Sequence, residues 1–203
     1  MGLINSTESS KIVSIVKGKF TIRLPEDSDN PSAVTRTLEQ GVNAGKEIKE
    51  LQYKALEGNY VTSYIDEGEY GTNYITELRD DEGDSFKLRI NLDSQFFSQY
   101  AKRIPNIKKD VPIFFGLGYD KEKEKNVLFI RQQGVNVPFA YTRENPNGLP
   151  PPEEKEVRGK KVWNWEAQEQ FLYDVAIDFS DNQSATEKVI EKFNAKETED
   201  IPF

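Results

Sequence analysis

The sequence contains no histidine and no cysteine among its 203 residues, and it has a single methionine. Without imidazole or thiolate groups, the chain cannot build a Ser-His-Asp triad, a cysteine nucleophile, a zinc finger or a disulfide scaffold. Any catalysis would therefore depend on carboxylates, lysines, tyrosines or a bound metal.

Long apolar runs are also absent, and none approaches the roughly 20 residues of a membrane-spanning helix. Residues 1–10 lack the basic start and apolar stretch of a signal peptide. We therefore expect a cytoplasmic protein with no membrane partner. The hydrophobic fraction of 36% is low for a globular chain but too high for a disordered one, which predicts one modest core with polar extensions.

The charge is unevenly distributed along the chain. The total is 27 basic minus 35 acidic residues, or −8. Residues 1–161 hold 24 basic and 25 acidic residues, net −1, whereas residues 162–203 hold 3 and 10, net −7. Residues 87–131 hold 10 basic and 5 acidic residues, net +5. An acidic total argues against nucleic acid as a ligand, but this basic segment allows it because phosphate contacts need Lys and Arg.

Alternating apolar residues predict a mainly β body. Residues 11–24 form two such runs around Lys17-Gly18-Lys19, the pattern of a β-hairpin. Residues 30–39 favour a short helix, with Pro31 at its first position and Gly41 just after its end.

The middle of the chain predicts three strands, a helix and two more strands. The strands are residues 47–66, bent or bulged at Gly58, then 70–79 and 86–92, and after the helix 111–119 and 127–132. The helix is residues 94–103, with Ser94 as its N-cap and Pro105 after its end. This order is that of the OB-fold, a five-stranded Greek-key barrel that binds oligonucleotides or oligosaccharides.

The remaining segments complete the predicted organisation. Residues 157–162 predict a small hairpin, 165–179 a helix and 184–194 a short amphipathic helix, whereas 196–203 should be disordered in isolation. We therefore expect an N-terminal extension over 1–45, an OB-fold domain with its C-terminal helix over 46–180, and an acidic tail over 181–203.

The last residues of the sequence carry the most specific signal. An acidic run ends in Asp200-Ile201-Pro202-Phe203, where two large apolar side chains gain nothing from exposure to water. In a partner they would fill apolar pockets while the acidic groups meet a basic rim. The alternative is an ordinary solubilising tail.

This terminal tip resembles that of bacterial and phage single-stranded DNA-binding proteins. Between residues 46 and 176, the chain also resembles phage-type members of that family through motifs such as Tyr100-Ala-Lys-Arg-Ile-Pro105, Tyr141-Thr-Arg-Glu-Asn-Pro-Asn-Gly148 and Gly159-Lys-Lys-Val-Trp163. The resemblance implies sequence-tolerant binding of single-stranded DNA in replication, recombination or repair, in a host bacterial cytoplasm. It also implies that residues 200–203 recruit partner proteins and that the acidic tail competes with DNA. Residues 1–45 resemble nothing we can name.

Single-stranded DNA is bound by basic grooves whose aromatic rings stack on bases. If Val61 and Ile65 face the interior of the barrel, the tyrosines beside them face outwards. The loop between the last two strands commonly contacts ligand in OB-folds. The candidate DNA-contacting residues are Tyr60, Tyr64, Tyr70, Tyr74, Lys87, Arg89, Phe114, Lys121, Lys123 and Arg131.

Each of these residues has a structural alternative. The aromatic rings would equally suit the core, and Glu122 and Glu124 offset the loop lysines. Asp66, Glu67 and Glu69 would repel phosphate at the other expected ligand loop. Trp163 and Trp165 favour packing of the C-terminal helix on the barrel over stacking on bases.

The sequence has two other functional interpretations, catalysis and protein binding. The acidic residues around Gly83 do not have calcium-loop spacing and better fit a hairpin turn, so we expect no enzyme, no metal site and no cofactor. The rival to DNA binding is an acidic OB-like adaptor that binds proteins and never meets nucleic acid. The net charge of −1 over residues 1–161 favours that rival.

Overall fold

The computed structural model describes residues 10–39, 41–68, 71–157 and 159–180. The mainly β composition is confirmed. The strands are β1 Lys11–Val16, β2 Lys19–Arg23, β3 Val34–Thr37, β4 Glu47–Tyr53, β5 Ala55–Gly68, β6 Gly71–Arg79, β7 Ser85–Asn91, β8 Ile113–Asp120, β9 Lys125–Gln132, β10 Val135–Asn136, β11 Glu153–Val157 and β12 Lys160–Asn164. The helices are α1 Gln95–Ala101, a 3-10 turn over Ile104–Asn106, and α2 Glu166–Phe179.

In the described part of the chain, ten strands form one mixed sheet in the order β10-β9-β8-β5-β6-β7-β1-β2-β4-β3. Strands β5, β6 and β7 form an antiparallel meander, and β5 also pairs with β8 through its first residues. Strand β1 lies parallel to β7, with Val13 opposite Leu88. The predicted N-terminal hairpin is confirmed, and it extends the sheet of the body.

One core joins the N-terminal hairpin to the rest of the body. Val13 and Phe20 of the hairpin belong to the same buried cluster as Tyr100 of α1 and Leu172 of α2. The predicted helices α1 and α2 are confirmed. Ser94 caps α1 as expected, because its hydroxyl accepts the Phe97 N–H at 3.2 Å.

The helix predicted over residues 30–39 is wrong, since Val34–Thr37 forms strand β3 beside β4. β-branched residues favour an extended backbone, and Thr35 and Thr37 are such residues. Arg36 then reaches the buried carboxylate of Glu50, with Nη2 and Oε2 3.0 Å apart, a pairing that this extended strand makes.

The single strand predicted over 47–66 is divided in two. The strands change their pairing partners at Lys54. Before it, β4 pairs with β2 and β3, and after it, β5 pairs with β8 and β6. The register of β5 on β6 shifts between Tyr60 and Thr62, so the bulge lies at Val61 rather than at Gly58. The hairpin predicted over 157–162 is confirmed as β11 and β12, and it pairs with no other described strand. The predictions for 184–194 and 196–203 lie outside the described residues.

Candidate nucleic-acid interface

The outer face of β5, β6 and β7 places a lysine beside an aromatic ring. Lys87 of β7 lies opposite Glu77 of β6. Its Nζ is 5.9 Å from the centroid of the Tyr64 ring and 3.6 Å from Oε2 of Glu77. Burial lowers the pKa of Lys87, but its contacts with Tyr64 and Glu77 outweigh burial and leave the pKa above its ordinary value. The half-exposed Tyr64 ring and the charged Lys87 head thus form one surface, as predicted.

Arg89, two residues further along β7, borders a cleft of about 430 Å³. Its Nε is buried and, within the described residues, has no hydrogen-bond partner. The lining residues are Ser14, Ile15, Gly68, Asn73, Arg89, Ile90, Asn91, Ser94 and Phe96. Among the described residues that line the cleft, Arg89 is the charged one, and its positive charge favours an anion.

A second aromatic group lies on the outer face of β8 and β9. Phe114 is opposite Arg131, whose guanidinium carbon is 5.8 Å from the centroid of the Phe114 ring. The Nε of Arg131 also donates to Oδ1 of Asn136 at 3.0 Å. These two predicted residues are therefore neighbours.

Sequence reasoning missed Phe129, which is 37% exposed on the same surface. A Cβ on Gly118 would lie 2.6 Å from Cε2 of Phe129, so the ring fits over the glycine. Gly116 similarly lies beneath the Phe114 ring, which would approach a Cβ there to 3.0 Å. A glycine inside a strand marks close approach by a neighbouring group, and the Gly-Leu-Gly run opposite Phe129 was the available signal.

The two aromatic groups are well separated along β5. Phe114 lies opposite Glu57, seven residues before Tyr64 in the same strand. At about 3.3 Å per residue, that separation is roughly 20 Å. A single-stranded segment of several nucleotides would be needed to contact both.

The two loop lysines lie in the turn between β8 and β9 and are exposed. The Lys123 side chain is 72% exposed, and its Nζ is 3.9 Å from Oδ2 of Asp120. Lys121 likewise extends into solvent.

Two tyrosines expected to face outwards do not. Tyr74 is completely buried, with its ring against Phe97 and Tyr100 of α1, because its place opposite Ile65 puts it on the inner face. Tyr60 is half-buried against Phe179 at a ring-centroid distance of 5.7 Å. The bulge explains this second error, since Val61 is 41% exposed instead of facing the interior. Tyr70 lies outside the described residues, as do the predicted partner-binding residues 200–203.

The C-terminal helix is fixed beside the strand that carries Tyr64. Ser180 Oγ donates to the backbone oxygen of Ser63 at 2.6 Å. Lys109 Nζ donates to the Phe179 backbone oxygen at 2.9 Å and lies 4.4 Å from the Phe179 ring centroid. The last described residue of the body is therefore held next to the candidate interface.

The expected packing of Trp163 and Trp165 on the barrel is wrong. Their side chains are 56% and 46% exposed on and beside the β11–β12 hairpin. Lys161 of that hairpin pairs with Glu154 across the strands at 2.5 Å. Neither tryptophan belongs to the core cluster that contains α2.

Among the described residues, no group of acidic side chains is arranged to hold a metal ion. No described helix is both long enough and apolar enough to cross a membrane. No protein-family model, curated protein or solved structure matches the chain.

Proposed function

We propose that the protein binds single-stranded DNA with little sequence preference, through a face of OB-fold type. Strand connectivity supports this proposal. The chain runs β5-β6-β7, then α1, then β8-β9, and β8 returns to pair with β5. In an OB-fold, strands two and three and the loops after strands one and four contact oligonucleotides. Those strands correspond here to β6 and β7, and the second loop is the turn that holds Lys121 and Lys123.

The observation that carries the proposal is the pairing of Lys87 with the Tyr64 ring on this outer face. Lysine supplies a positive charge that replaces counterions on the phosphate backbone. An exposed ring supplies a surface for stacking, which is worth roughly 1 to 3 kcal/mol per base and suits every base. Both requirements of sequence-tolerant binding therefore occur within 6 Å of each other, as the 5.9 Å separation indicates.

The acidic tail has two proposed roles, both derived from the resemblance of its last four residues to the family tip. When no DNA is bound, the negatively charged tail occupies the face that carries Lys87. Its attachment gives it a high effective concentration there, and this weakens DNA binding. Displaced by DNA, Phe203 and its neighbours recruit replication or recombination proteins. The position of Ser180 supports the first role, because this last described residue before the tail donates its hydroxyl to the backbone oxygen of Ser63, the residue before Tyr64.

The proposal is tested by measuring fluorescence anisotropy of a labelled oligo-dT with Tyr64→Ala and Lys87→Gln proteins. Tyr64→Ala should weaken binding by about 1 to 3 kcal/mol, the value of one stacked base. Lys87→Gln should weaken it and reduce the salt slope by about 0.7, the value for one phosphate contact on a single strand.

Lys46→Gln provides the matched control, because Lys46 is an exposed lysine paired with Glu26 between β3 and β4. Its affinity should stay close to that of the wild type. Equal affinities of all three variants would place DNA elsewhere on the molecule. Failure of the wild type to bind oligo-dT at low salt would favour the protein-binding adaptor.

A further inference from the structure

The cleft beside Arg89 lies between the N-terminal hairpin and the face of OB-fold type. Strand β1 supplies Ser14 and Ile15, and β7 supplies Arg89 and Asn91. The parallel pairing of these strands, with Ser14 opposite Arg89, brings the two sides together. The cleft volume of about 430 Å³ is within the range of small-ligand pockets, roughly 300 to 1,000 Å³.

We propose that this cleft binds one nucleotide unit of the single strand, with its phosphate group against Arg89. The inference rests on the proposed function and deepens it. It gives the N-terminal hairpin a part in ligand binding, since the cleft is incomplete without β1.

The donors in the cleft favour a phosphate. Arg89 lines the cleft, and its buried Nε has no acceptor in the described part of the chain, so no described carboxylate occupies that donor. Arg presents several N–H groups in a fixed fork that matches phosphate oxygens. Among the described residues, the carboxylates of Glu67 and Asp93 each lie one residue from a lining residue, and neither lines the cleft.

The remaining walls suit a sugar and a base. The Asn91 Oδ1 accepts the Asp93 N–H at 2.9 Å, so the amide nitrogen of Asn91 is the group that remains to donate to a ligand. Asn73 donates through Nδ2 to the Gly71 backbone oxygen at 2.9 Å, which leaves its Oδ1 as an acceptor. The half-buried Phe96 ring adds an apolar surface. A charged end, two amides and a ring together fit a nucleotide better than inorganic phosphate.

The first test compares Arg89→Gln with Arg143→Gln by oligo-dT anisotropy at several salt concentrations. Arg143 is a matched control because it is an exposed arginine between β10 and β11, outside the strands and the turn that we propose to contact DNA. We expect Arg89→Gln to weaken binding at least tenfold and to reduce the salt slope by about 0.7. Arg143→Gln should change affinity less than twofold, and Arg89→Lys, which keeps the charge, should retain part of the binding.

The second test follows the side-chain amide signals of Asn73 and Asn91 by NMR in the full chain. Adding dTMP should shift both signals in the wild type but not in Arg89→Gln, whereas thymidine should shift neither. Equal shifts with inorganic phosphate would overturn the nucleotide assignment. If the wild type binds oligo-dT and Arg89→Gln binds equally well, this inference fails and the proposed function stands. If the wild type does not bind oligo-dT, both fail.

Discussion

Tyr64 of β5 and Tyr74 of β6 lie at almost the same level of the sheet, yet their side chains face opposite sides. Tyr64 lies opposite Ile75 of β6, and Tyr74 lies opposite Ile65 of β5. The first ring is half-exposed beside Lys87, whereas the second is covered by α1. Alternation along β6 alone could not assign these faces, because Tyr suits both a core and a ligand surface. Packing against helix α1, which is distant in the sequence, places Tyr74 in the core.

Burial of Tyr100 in the core makes the stability of the folded protein depend on pH. Its ring is fully buried, its hydroxyl is 3.1 Å from Oγ1 of Thr76, and burial raises its pKa well above the ordinary value of about 10. The folded state therefore keeps this proton at alkaline pH while the unfolded chain loses it. Stability supplied by the neutral hydroxyl is complete below about pH 10 and is lost as the pH rises above that value.

We expect the free energy of unfolding of the wild type to fall between pH 10 and 11, with Tyr100 contributing at most about 1.4 kcal/mol per pH unit. Tyr100→Phe should reduce this fall. Tyr119→Phe, at a position 59% exposed, should follow the wild type. Urea unfolding at pH 9, 10 and 11 measures the difference. A Tyr100→Phe protein that loses stability as steeply as the wild type would contradict the assignment.

At the scale of elements, β5 determines how the two halves of the sheet meet. Gly58 of β5 pairs with Ile113 of β8, and the next residue, Asn59, pairs with Arg79 of β6. A Cβ on Gly58 would lie 2.9 Å from the Arg79 backbone oxygen, where a backbone atom leaves no room. The sequence predicted a bend or bulge at Gly58, whereas the register shift follows Tyr60.

Gly58→Ala should therefore destabilise the protein by about 1 to 3 kcal/mol, the usual cost of overpacking. Gly68→Ala is the control in the same strand, because its Cβ would meet Asn73 Nδ2 at an ordinary 3.4 Å. It should cause no loss of stability in urea unfolding at neutral pH. Equal effects of the two substitutions would show that the approach of Arg79 does not constrain β5.

The β11–β12 hairpin has the predicted conformation, but Trp163 and Trp165 are exposed instead of packed on the barrel. Turn residues and alternating side chains predicted the hairpin, but pattern alone does not say whether a tryptophan has a packing partner. Trp163→Ala should change stability by less than about 0.5 kcal/mol, as an exposed substitution does. Phe20→Ala, in the core, should cost about 3 to 5 kcal/mol.

Fluorescence provides a second measurement at this hairpin. The chain has two tryptophans, so each single substitution leaves one emitting residue. We expect acrylamide to quench both efficiently in the folded protein. A stability loss in Trp163→Ala close to that of Phe20→Ala, with poor quenching, would indicate that Trp163 packs against the body after all.

The elements that the sequence predicted correctly depend on local signals, and those that it missed depend on long-range pairings. The hairpin of β1 and β2, strand β7 and the Ser94 cap of α1 follow from residues close together in the chain, and the sequence predicted them. Strand β3 was missed because its extended form depends on pairing with β4. The parallel contact of β1 with β7 joins segments 75 residues apart, as the pairing of Ser14 with Arg89 shows. No local pattern encodes such a contact.

At the scale of the whole molecule, the basic segment over residues 87–131 does not form one patch. Lys87 lies on the outer face, but Arg103 is buried, with its Nε donating to the Val137 backbone oxygen at 3.1 Å. Burial also lowers the pKa of Lys102. Lys109 holds the end of α2. Charge counted along the sequence therefore overstates the charge available to a ligand, and the DNA-binding proposal depends on the few cations that face outwards.

The most direct test of DNA binding is an anisotropy titration of labelled oligo-dT, at low and moderate salt, with the full chain and a chain ending at Lys196. Duplex DNA of equal length serves as competitor. We expect binding that prefers the single strand, weakens steeply with salt and tightens when the last seven residues are removed. Unchanged affinity on truncation would contradict competition by the tail. Absence of binding by either chain at low salt would contradict the proposed function itself.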